Sequence, residues 1–307
     1  MEQTGTPNGI LIFHKPQDFT SHDVVAKLRG ILHTRKIGHG GTLDPMATGV
    51  LPIFVGGATK AADYAAAQDK EYEAGFTLGF STDTQDTTGQ VIARSQQRAT
   101  AEQVRQALET FRGAQKQIPP MYSAVKMDGK KLYELARKGQ EVERPARDIT
   151  VLDIALLNFD EQTQRGAFRV VCSKGTYVRT LVHDLGARLG TCAAMHALTR
   201  TRAGVYGLDE AVTFEQVERA RDAGTLSALL RPTDSLFVEY PAVTLNFEGN
   251  DRALRGATVF ERQTSGLAAF APGTLCRVYY NGAFVMLGRV DALDKGGNGL
   301  FVHKNFR

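Results

Sequence analysis

The fold of this chain is decided by one stretch, Gly38-His39-Gly40-Gly41-Thr42-Leu43-Asp44-Pro45-Met46-Ala47-Thr48-Gly49. Its glycines favour a tight loop, because glycine adopts positive φ at no steric cost and leaves room for a close neighbour. Asp44 is the one carboxylate in the loop, and Pro45 restricts it to extended conformations. The apolar run 50–55 then predicts a buried strand that holds the loop from one side. On spacing alone, a simple turn in which Asp44 bonds nearby backbone N–H groups is favoured over a catalytic carboxylate.

Four further motifs lie along the chain. They are Ile10-Leu11-Ile12-Phe13 with Lys15-Pro16, Asp69-Lys70-Glu71-Tyr72, Pro120-Met121-Tyr122-Ser123-Ala124, and Lys174-Gly175-Thr176-Tyr177-Val178-Arg179-Thr180. Together with the loop, and in the same order, they resemble the motifs of the bacterial tRNA pseudouridine-55 synthases, the TruB-type family. The resemblance covers about residues 9–206. It implies the pseudouridine-synthase fold and the isomerisation of a uridine in the T-loop of tRNA to pseudouridine.

The same resemblance assigns roles to individual residues. Asp44 becomes the nucleophile, Arg179 its charge partner, and Tyr72 the ring that stacks on an extruded uracil. A carboxylate suits this reaction because it can add to the uracil ring or attack the anomeric carbon, and the sequence leaves both modes open. An adjacent guanidinium favours the ionised carboxylate in a pocket that excludes water. The substrate-binding residues that the resemblance implies are His39, Asp86, Tyr177, Leu198 and Lys15, of which Lys15 would also buttress the catalytic loop with Pro16.

Taken singly, these residues have plainer interpretations. An isolated arginine such as Arg179 is more often a phosphate contact or a surface ion pair. A strand tyrosine such as Tyr72 usually packs in a core, and a loop acid such as Asp86 usually bonds its own turn. Only their joint occurrence in the order of the family favours the catalytic interpretation.

Composition predicts a folded protein that works without a bound cofactor. The chain has 307 residues, of which 42% are hydrophobic, and its apolar runs are far shorter than a membrane span. The first residues lack the pattern of a signal peptide, so we expect a cytoplasmic protein. The three cysteines show no Cys-x-x-Cys spacing, which fits a reducing cytoplasm and predicts no metal site. Neither the P-loop pattern nor the dinucleotide-binding glycine pattern occurs, so no nucleotide cofactor is expected.

A basic stretch predicts an RNA partner. Residues 112–147 carry nine Lys or Arg against four acids, although the whole chain has a net charge of only +4. A solvated charged face explains this stretch equally well on charge alone. The family resemblance favours RNA, and specifically the T-arm of tRNA bound by a monomer. The basic side chains expected to contact phosphate groups are Lys126, Lys130, Lys131, Arg137 and Lys138.

The pattern of helix and strand signals predicts an α+β fold with a large mixed or antiparallel sheet. Capping-box patterns at Thr20, Thr100 and Thr213 predict three helix starts. Other predicted elements are strands near 10–13, 50–55, 70–80, 123–127, 149–158 and 166–172, helices near 58–68, 131–138 and 177–189, and a loop over 81–89.

The chain changes character at about residue 241. Asn281-Gly282 predicts a type I′ hairpin between strands at 275–280 and 284–290, and a final strand is predicted at 300–302. We therefore expect a catalytic domain over 1–240 and a small β-rich domain over 241–307 that resembles, more weakly, the PUA-like RNA-binding domain of the family. A unit that only stabilises the protein is an equal alternative.

Two other function classes stay open on sequence grounds. A non-catalytic RNA-binding or RNA-folding protein with the same fold would have no need of Asp44 or Arg179, yet both are present with Tyr72. A nucleoside glycosidase that acts without tRNA would have no need of the basic stretch or the C-terminal unit.

Overall fold

Two separate β-sheets organise the chain. The computed structural model describes residues 7–127, 129–294 and 296–306. Its strands are β1 (Gly9–Lys15), β2 (Ile37–His39), β3 (Thr48–Val55), β4 (Lys70–Leu78), β5 (Phe80–Thr82), β6 (Val91–Arg94), β7 (Gly113–Gln117), β8 (Lys126–Met127), β9 (Lys130–Lys131), β10 (Arg147–Asp160), β11 (Arg165–Cys172), β12 (Ala193–Ala203), β13 (Tyr206–Gly207), β14 (Leu230–Arg231), β15 (Ala242–Leu245), β16 (Val259–Phe260), β17 (Thr264–Ser265), β18 (Leu275–Tyr280), β19 (Ala283–Ala292) and β20 (Asn298–Asn305). The α-helices are α1 (Ser21–Ile31), α2 (Ala62–Ala67), α3 (Ala101–Glu109), α4 (Leu132–Ala136), α5 (Val178–Arg188), α6 (Phe214–Asp222) and α7 (Phe247–Leu254).

The larger sheet has ten strands in the order β14-β1-β3-β12-β4-β11-β10-β7, with β2 paired to β3 and β13 to β12. Its strand pairs are antiparallel except β3 with β12, which run parallel. The predicted α+β fold with a large mixed sheet is therefore confirmed. The parallel pair places the end of the glycine-rich loop directly beside β12.

Apolar alternation explains how this sheet is covered. On β4 the even-numbered residues Tyr72, Ala74, Phe76 and Leu78 face one core cluster, which α3 and α5 complete. Strands β1 and β3 are apolar on both sides, because one set of side chains packs under α1 and α6 and the other set packs toward the C-terminal sheet. The sheet is thus covered on both faces where the loop at 38–49 emerges.

The capping boxes at Thr20, Thr100 and Thr213 are confirmed, each with the side-chain and backbone bonds that the pattern predicts. The loop predicted over 81–89 is wrong at its start. Residues 81–82 belong to β5, which pairs with β6 because Gly79, at φ 97°, turns the chain out of β4. The strand predicted over 123–127 is too long: only Lys126–Met127 form a strand, β8, which pairs with β9 in a hairpin. Asp128 of the predicted turn lies outside the described residues.

Strand β12 has no counterpart in the sequence prediction. It lies in the middle of the larger sheet, between β3 and β4. Gly49 makes this position possible: its φ is 103°, and a Cβ there would lie 2.2 Å from the carbonyl oxygen of Arg200. Any side chain at residue 49 would force the two strands apart.

The smaller sheet has six strands in the order β16-β20-β19-β18-β15-β17. Its central hairpin joins β18 to β19 through Asn281 and Gly282, both at positive φ, so the predicted hairpin is confirmed.

Among the described residues, no helix has the length and hydropathy that a membrane crossing requires.

An aromatic cluster joins the two sheets. Phe237, 4% exposed, lies just before the smaller sheet and packs against Tyr240, Phe284 and Phe306 with ring centroids 5.9, 6.1 and 5.7 Å away. Leu287 of β19 is fully buried in the same cluster as Ile10 and Val50 of the larger sheet. The C-terminal sheet therefore has a core of its own and also packs on the larger sheet through this shared cluster.

Replacing Phe237 with alanine tests this junction. Phe237→Ala removes a buried ring from the cluster and should lower the free energy of unfolding by about 3–5 kcal/mol. Phe247→Ala is the matched control, because Phe247 is 78% exposed on α7, and its effect should stay within about 0.5 kcal/mol. Urea unfolding of both variants measures the difference, and equal effects would mean that the junction contributes little.

Candidate active site

The glycine-rich loop opens onto a cleft of about 390 Å³ that is lined in part by β4 and β12 of the larger sheet. Asp44 stands at its wall with a side chain that is 36% exposed. Of the residues predicted from the sequence, those that line the cleft are Asp44, Tyr72, Tyr177, Arg179 and Leu198. The structure thus brings together side chains that are separated by more than 150 positions in the sequence.

Two buried side chains, Ser21 and Lys15, fix the loop from below. The Ser21 hydroxyl accepts a hydrogen bond from the Leu43 N–H at 2.9 Å and donates to the Leu43 carbonyl at 3.3 Å. The Lys15 ammonium donates to the Pro45 carbonyl at 3.1 Å, on the other side of Asp44. Because both neighbours of Asp44 are bonded to buried side chains, the carboxylate has little freedom to turn away from the cleft.

Arg179 bonds Asp44 directly. Its Nε lies 2.9 Å from Oδ2 of Asp44, and its Nη1 donates to the Thr84 carbonyl at 3.0 Å and lies 3.5 Å from Oδ2 of Asp86. Its Nη2 donates to the Tyr122 carbonyl at 2.9 Å. The guanidinium is 5% exposed, so each of its three nitrogens has a partner and the orientation of the group is fixed. This arrangement orients the Asp44 carboxylate against the cleft wall.

Tyr72 and Leu198 supply the apolar walls of the cleft from adjacent strands β4 and β12. Tyr72 is 9% exposed. Burial raises the pKa of its hydroxyl above the ordinary value, Arg200 opposes that shift, and the Asp44 charge adds to it. The phenol is therefore neutral at physiological pH and presents a flat, uncharged ring.

Asp86 and His39 lie beside the cleft rather than in its lining. One oxygen of Asp86 accepts hydrogen bonds from the Thr84 hydroxyl at 2.8 Å and from the Thr88 N–H and hydroxyl at 3.0 and 2.5 Å. The other faces Arg179, so the carboxylate of Asp86 orients the guanidinium. His39 packs edge-on against His22 at 5.4 Å, and burial, with the charges of His22 and Arg200, lowers the pKa of His39 to about 4.

Lys15 and Tyr177 occupy supporting positions. Lys15 is fully buried, and its ammonium also donates to the carbonyls of Pro16 and Phe19 at 2.8 and 2.6 Å. Burial lowers the pKa of Lys15 to about 8, while the Asp44 charge opposes the shift. Tyr177 precedes α5, and Gln117 bonds both its N–H and its carbonyl at 2.8 and 3.1 Å. That pair of bonds sets the start of the helix that carries Arg179.

Sequence reasoning missed Arg200. This side chain on β12 is 1% exposed and lines the floor of the cleft. Its Nε donates to the Val50 carbonyl at 2.6 Å and its Nη2 to the Gly41 carbonyl at 3.2 Å, so it joins the two ends of the loop that carries Asp44. Arg200 belongs to none of the predicted site residues, and β12, the strand that positions it, has no counterpart in the sequence prediction.

A conservative substitution tests the role of Arg200. Arg200→Lys keeps the charge but loses the fork that reaches both carbonyls. At least one of those carbonyls is left buried and unpaired, so the free energy of unfolding should fall by about 1–3 kcal/mol. Arg219→Lys is the control on α6, where the side chain is 68% exposed and pairs with Glu215, and it should change stability by less than about 0.5 kcal/mol. A loss of stability of the same size in both variants would contradict the proposal that Arg200 holds the two ends of the loop.

Comparisons with known proteins find relatives along most of this chain. Residues 29–178 match the family model described as TruB family pseudouridylate synthase (N terminal domain), and residues 179–238 match tRNA pseudouridylate synthase B C-terminal domain. The tRNA pseudouridine synthase B of Lactiplantibacillus plantarum is 46% identical over 281 residues, which is 89% of this chain and 92% of the relative. The tRNA pseudouridine synthase B of Bacillus subtilis is 44% identical over 285 residues, with the same two coverages.

A solved structure extends the likeness to the whole fold. The "Crystal Structure of a Cbf5-Nop10-Gar1 Complex" contains a chain that matches with a TM-score of 0.73 at 26% identity, covering 97% of this chain and 85% of that one. The identity to both bacterial relatives extends over nine-tenths of their length. The chain therefore belongs to the TruB family of tRNA pseudouridine synthases, enzymes that isomerise uridine to pseudouridine.

Proposed function

We propose that this enzyme converts the uridine at position 55 in the T-loop of tRNA to pseudouridine, with Asp44 as the nucleophile. The observation that carries the proposal is the ion pair of 2.9 Å between Arg179 and Asp44 at the wall of a cleft that a single extruded nucleotide can enter. The carboxylate is bonded on one side and still 36% exposed on the other. It is therefore both oriented and reachable.

The chemistry follows from that placement. Asp44 attacks the uridine, either at the uracil ring or at the anomeric carbon. The bond from C1′ to N1 breaks, the uracil turns within the cleft, and C5 bonds to C1′. The bond between Asp44 and the substrate breaks again, C5 gives up its proton, and N1 takes up a proton. The product has the same atoms as the substrate, so no external reductant or group donor takes part. Arg179 stabilises the negative charge of the carboxylate whenever it leaves the ribose or the base.

The remaining residues have supporting roles in this proposal. Tyr72 stacks on the extruded uracil, Leu198 packs against it from the neighbouring strand, and Tyr177 lines the opposite wall. Asp86 acts through Arg179. His39, neutral at physiological pH, fills space beside the displaced base, and Lys15 supports the loop from beneath.

The RNA surface of the proposal begins at the cleft and continues along the basic segment. Ser123, Ala124 and Val125 line the cleft, and the hairpin of β8 and β9 follows directly. Lys126, Lys130, Arg137 and Lys138 of this segment are exposed and Lys131 is half-buried. We place the catalytic domain at 1–240 and a PUA-like RNA-binding domain at 241–307, and we expect a monomer that binds the T-arm.

The nucleophile is tested by substituting Asp44. Asp44→Asn keeps the size of the side chain but removes its charge, and it should abolish pseudouridine formation without abolishing RNA binding. Asp44→Glu should also fail, because one added methylene shifts the carboxylate by more than the roughly 0.5 Å that a catalytic site tolerates. The measurement is tritium release from 5-tritiated uridine in a T-arm transcript, beside filter binding of the same preparations.

Three outcomes of this experiment would contradict, in turn, the proposed nucleophile, the proposed target uridine and the proposed activity. Tritium release by Asp44→Asn at the unsubstituted rate would remove Asp44 as the nucleophile. Release from a transcript in which uridine 55 is replaced by cytidine would place the reaction at another uridine. Tight binding of the transcript without release by the unsubstituted protein would favour an RNA-binding protein that does not modify this site.

The RNA surface is tested by the salt dependence of binding. Each phosphate contact makes log K fall with log salt concentration at a slope of roughly −0.7 to −0.9. Lys130→Ala with Lys131→Ala should flatten that slope and leave the single-turnover rate on saturating RNA nearly unchanged. Arg105→Ala with Arg219→Ala is the control, since both side chains are more than half exposed and pair with acids on their own helices, outside the basic segment. An unchanged slope in the lysine variant would remove this hairpin from the RNA surface.

A further inference from the structure

Tyr122 closes a ring of hydrogen bonds around Arg179. Its carbonyl accepts from Nη2 of Arg179 at 2.9 Å, and its hydroxyl donates to Oδ2 of Asp83 at 3.3 Å. The next residue, Thr84, accepts from Nη1 of the same guanidinium at 3.0 Å. The path from Arg179 through Tyr122, Asp83 and Thr84 therefore returns to Arg179.

The Asp83 end of this ring is itself fixed. Oδ1 of Asp83 accepts from the Gln90 N–H at 2.8 Å, across the turn between β5 and β6. The hydroxyl of Tyr122 thus bonds a carboxylate that cannot easily follow it. The bond is long for an O–H···O contact at 3.3 Å, and its acceptor is a carboxylate. It is the hydrogen bond that anchors the hydroxyl of Tyr122, a residue that is only half-buried.

Tyr122 also stands at the base of the basic segment. Ser123 accepts at its carbonyl from the Tyr133 N–H at 3.1 Å, and Val125 from the Leu132 N–H at 2.8 Å. These bonds connect the chain after Tyr122 to α4 and to the hairpin of β8 and β9. A displacement of the basic segment would therefore pull on the residue whose carbonyl holds Arg179.

We propose that Tyr122 is a positioning residue: its hydroxyl, anchored on Asp83, keeps its carbonyl on Arg179, and Arg179 in turn orients the carboxylate of Asp44. The proposal rests on Asp44 being the nucleophile, as proposed above. In this proposal, two parts of the chain support the Arg179 guanidinium. One is the turn at Asp83 and Thr84, and the other is Tyr122 at the base of the basic segment. Losing one support leaves Arg179 bonded but less well oriented.

A different role for Tyr122 is a ring contact with the RNA itself, and two substitutions separate the roles. Tyr122→Phe keeps the ring and removes the bond to Asp83, whereas Tyr122→Leu removes both. If Tyr122 positions Arg179, both variants lower the single-turnover rate on saturating T-arm transcript, by about three- to tenfold for Tyr122→Phe, with an unchanged Kd. If the ring only contacts RNA, Tyr122→Phe equals the unsubstituted enzyme and Tyr122→Leu raises Kd. That second outcome overturns the proposal.

The matched control is Tyr206→Phe. The Tyr206 hydroxyl bonds the Ser235 hydroxyl at 2.8 Å in the core away from the cleft, so its loss removes a phenol hydrogen bond without reaching Arg179. This variant should lower the midpoint of thermal unfolding and leave the single-turnover rate unchanged. A fall in the rate of Tyr206→Phe equal to that of Tyr122→Phe would mean that both act through general stability, which contradicts a positioning role.

A double-mutant cycle tests whether Asp83 is the anchor. Asp83→Ala should lower the single-turnover rate, and adding Tyr122→Phe in that background should change it by less than twofold, because the bond is already lost. Additive losses would show that the two residues act independently and would overturn the proposal. The Asp44→Asn measurement keeps the two proposals apart: a fully active Asn variant removes the nucleophile, whereas an inactive one with a fully active Tyr122→Phe removes only the role of Tyr122.

Discussion

The structure depends on buried cations that bond the backbone of an irregular loop. A loop with no regular hydrogen-bond partners cannot be buried unless side chains supply donors to its carbonyls. Here Lys15 bonds the Pro45 carbonyl and Arg200 bonds those of Gly41 and Val50. The loop is thereby held at both ends and in the middle, and its one carboxylate is left facing the cleft.

The order of strands in the sheet follows from the same need. Lys15 ends β1 and Arg200 lies on β12, and these strands flank β3 on its two sides. β12 runs parallel to β3 and pairs Arg200 with Gly49, and from that position the Arg200 side chain reaches the carbonyls of Val50 and Gly41. A strand antiparallel to β3 could follow it through a short hairpin, whereas a strand parallel to β3 requires a long connection. The intervening 137 residues, from 56 to 192, supply that connection and also contain Tyr72 and Arg179.

The features of the fold that depend on neighbouring residues were predictable from the sequence, whereas those that depend on contacts between distant residues were not. The glycine-rich loop, the capping box at Thr20 and the hairpin at Asn281 each depend on residues close together in the chain, and each was predicted from the residues themselves. The role of Arg179 came only from the resemblance to a family, because an isolated arginine carries no signal for its partner. Arg200 was missed because its contacts depend on a strand pairing across 150 positions.

The electrostatics of the cleft explain why the proposed nucleophile is placed on a clamped loop. In the open cleft Asp44 is partly solvated, and the attraction of Arg179 is screened by water. In the proposed reaction, an extruded base that enters the cleft displaces that water, so the effective dielectric constant falls and the same ion pair becomes stronger. A carboxylate on a flexible loop would respond by turning both of its oxygens onto the guanidinium and away from the substrate. Because Ser21 and Lys15 bond the residues on either side of Asp44, the carboxylate keeps its direction, and the stronger field acts on the charge that develops during the reaction.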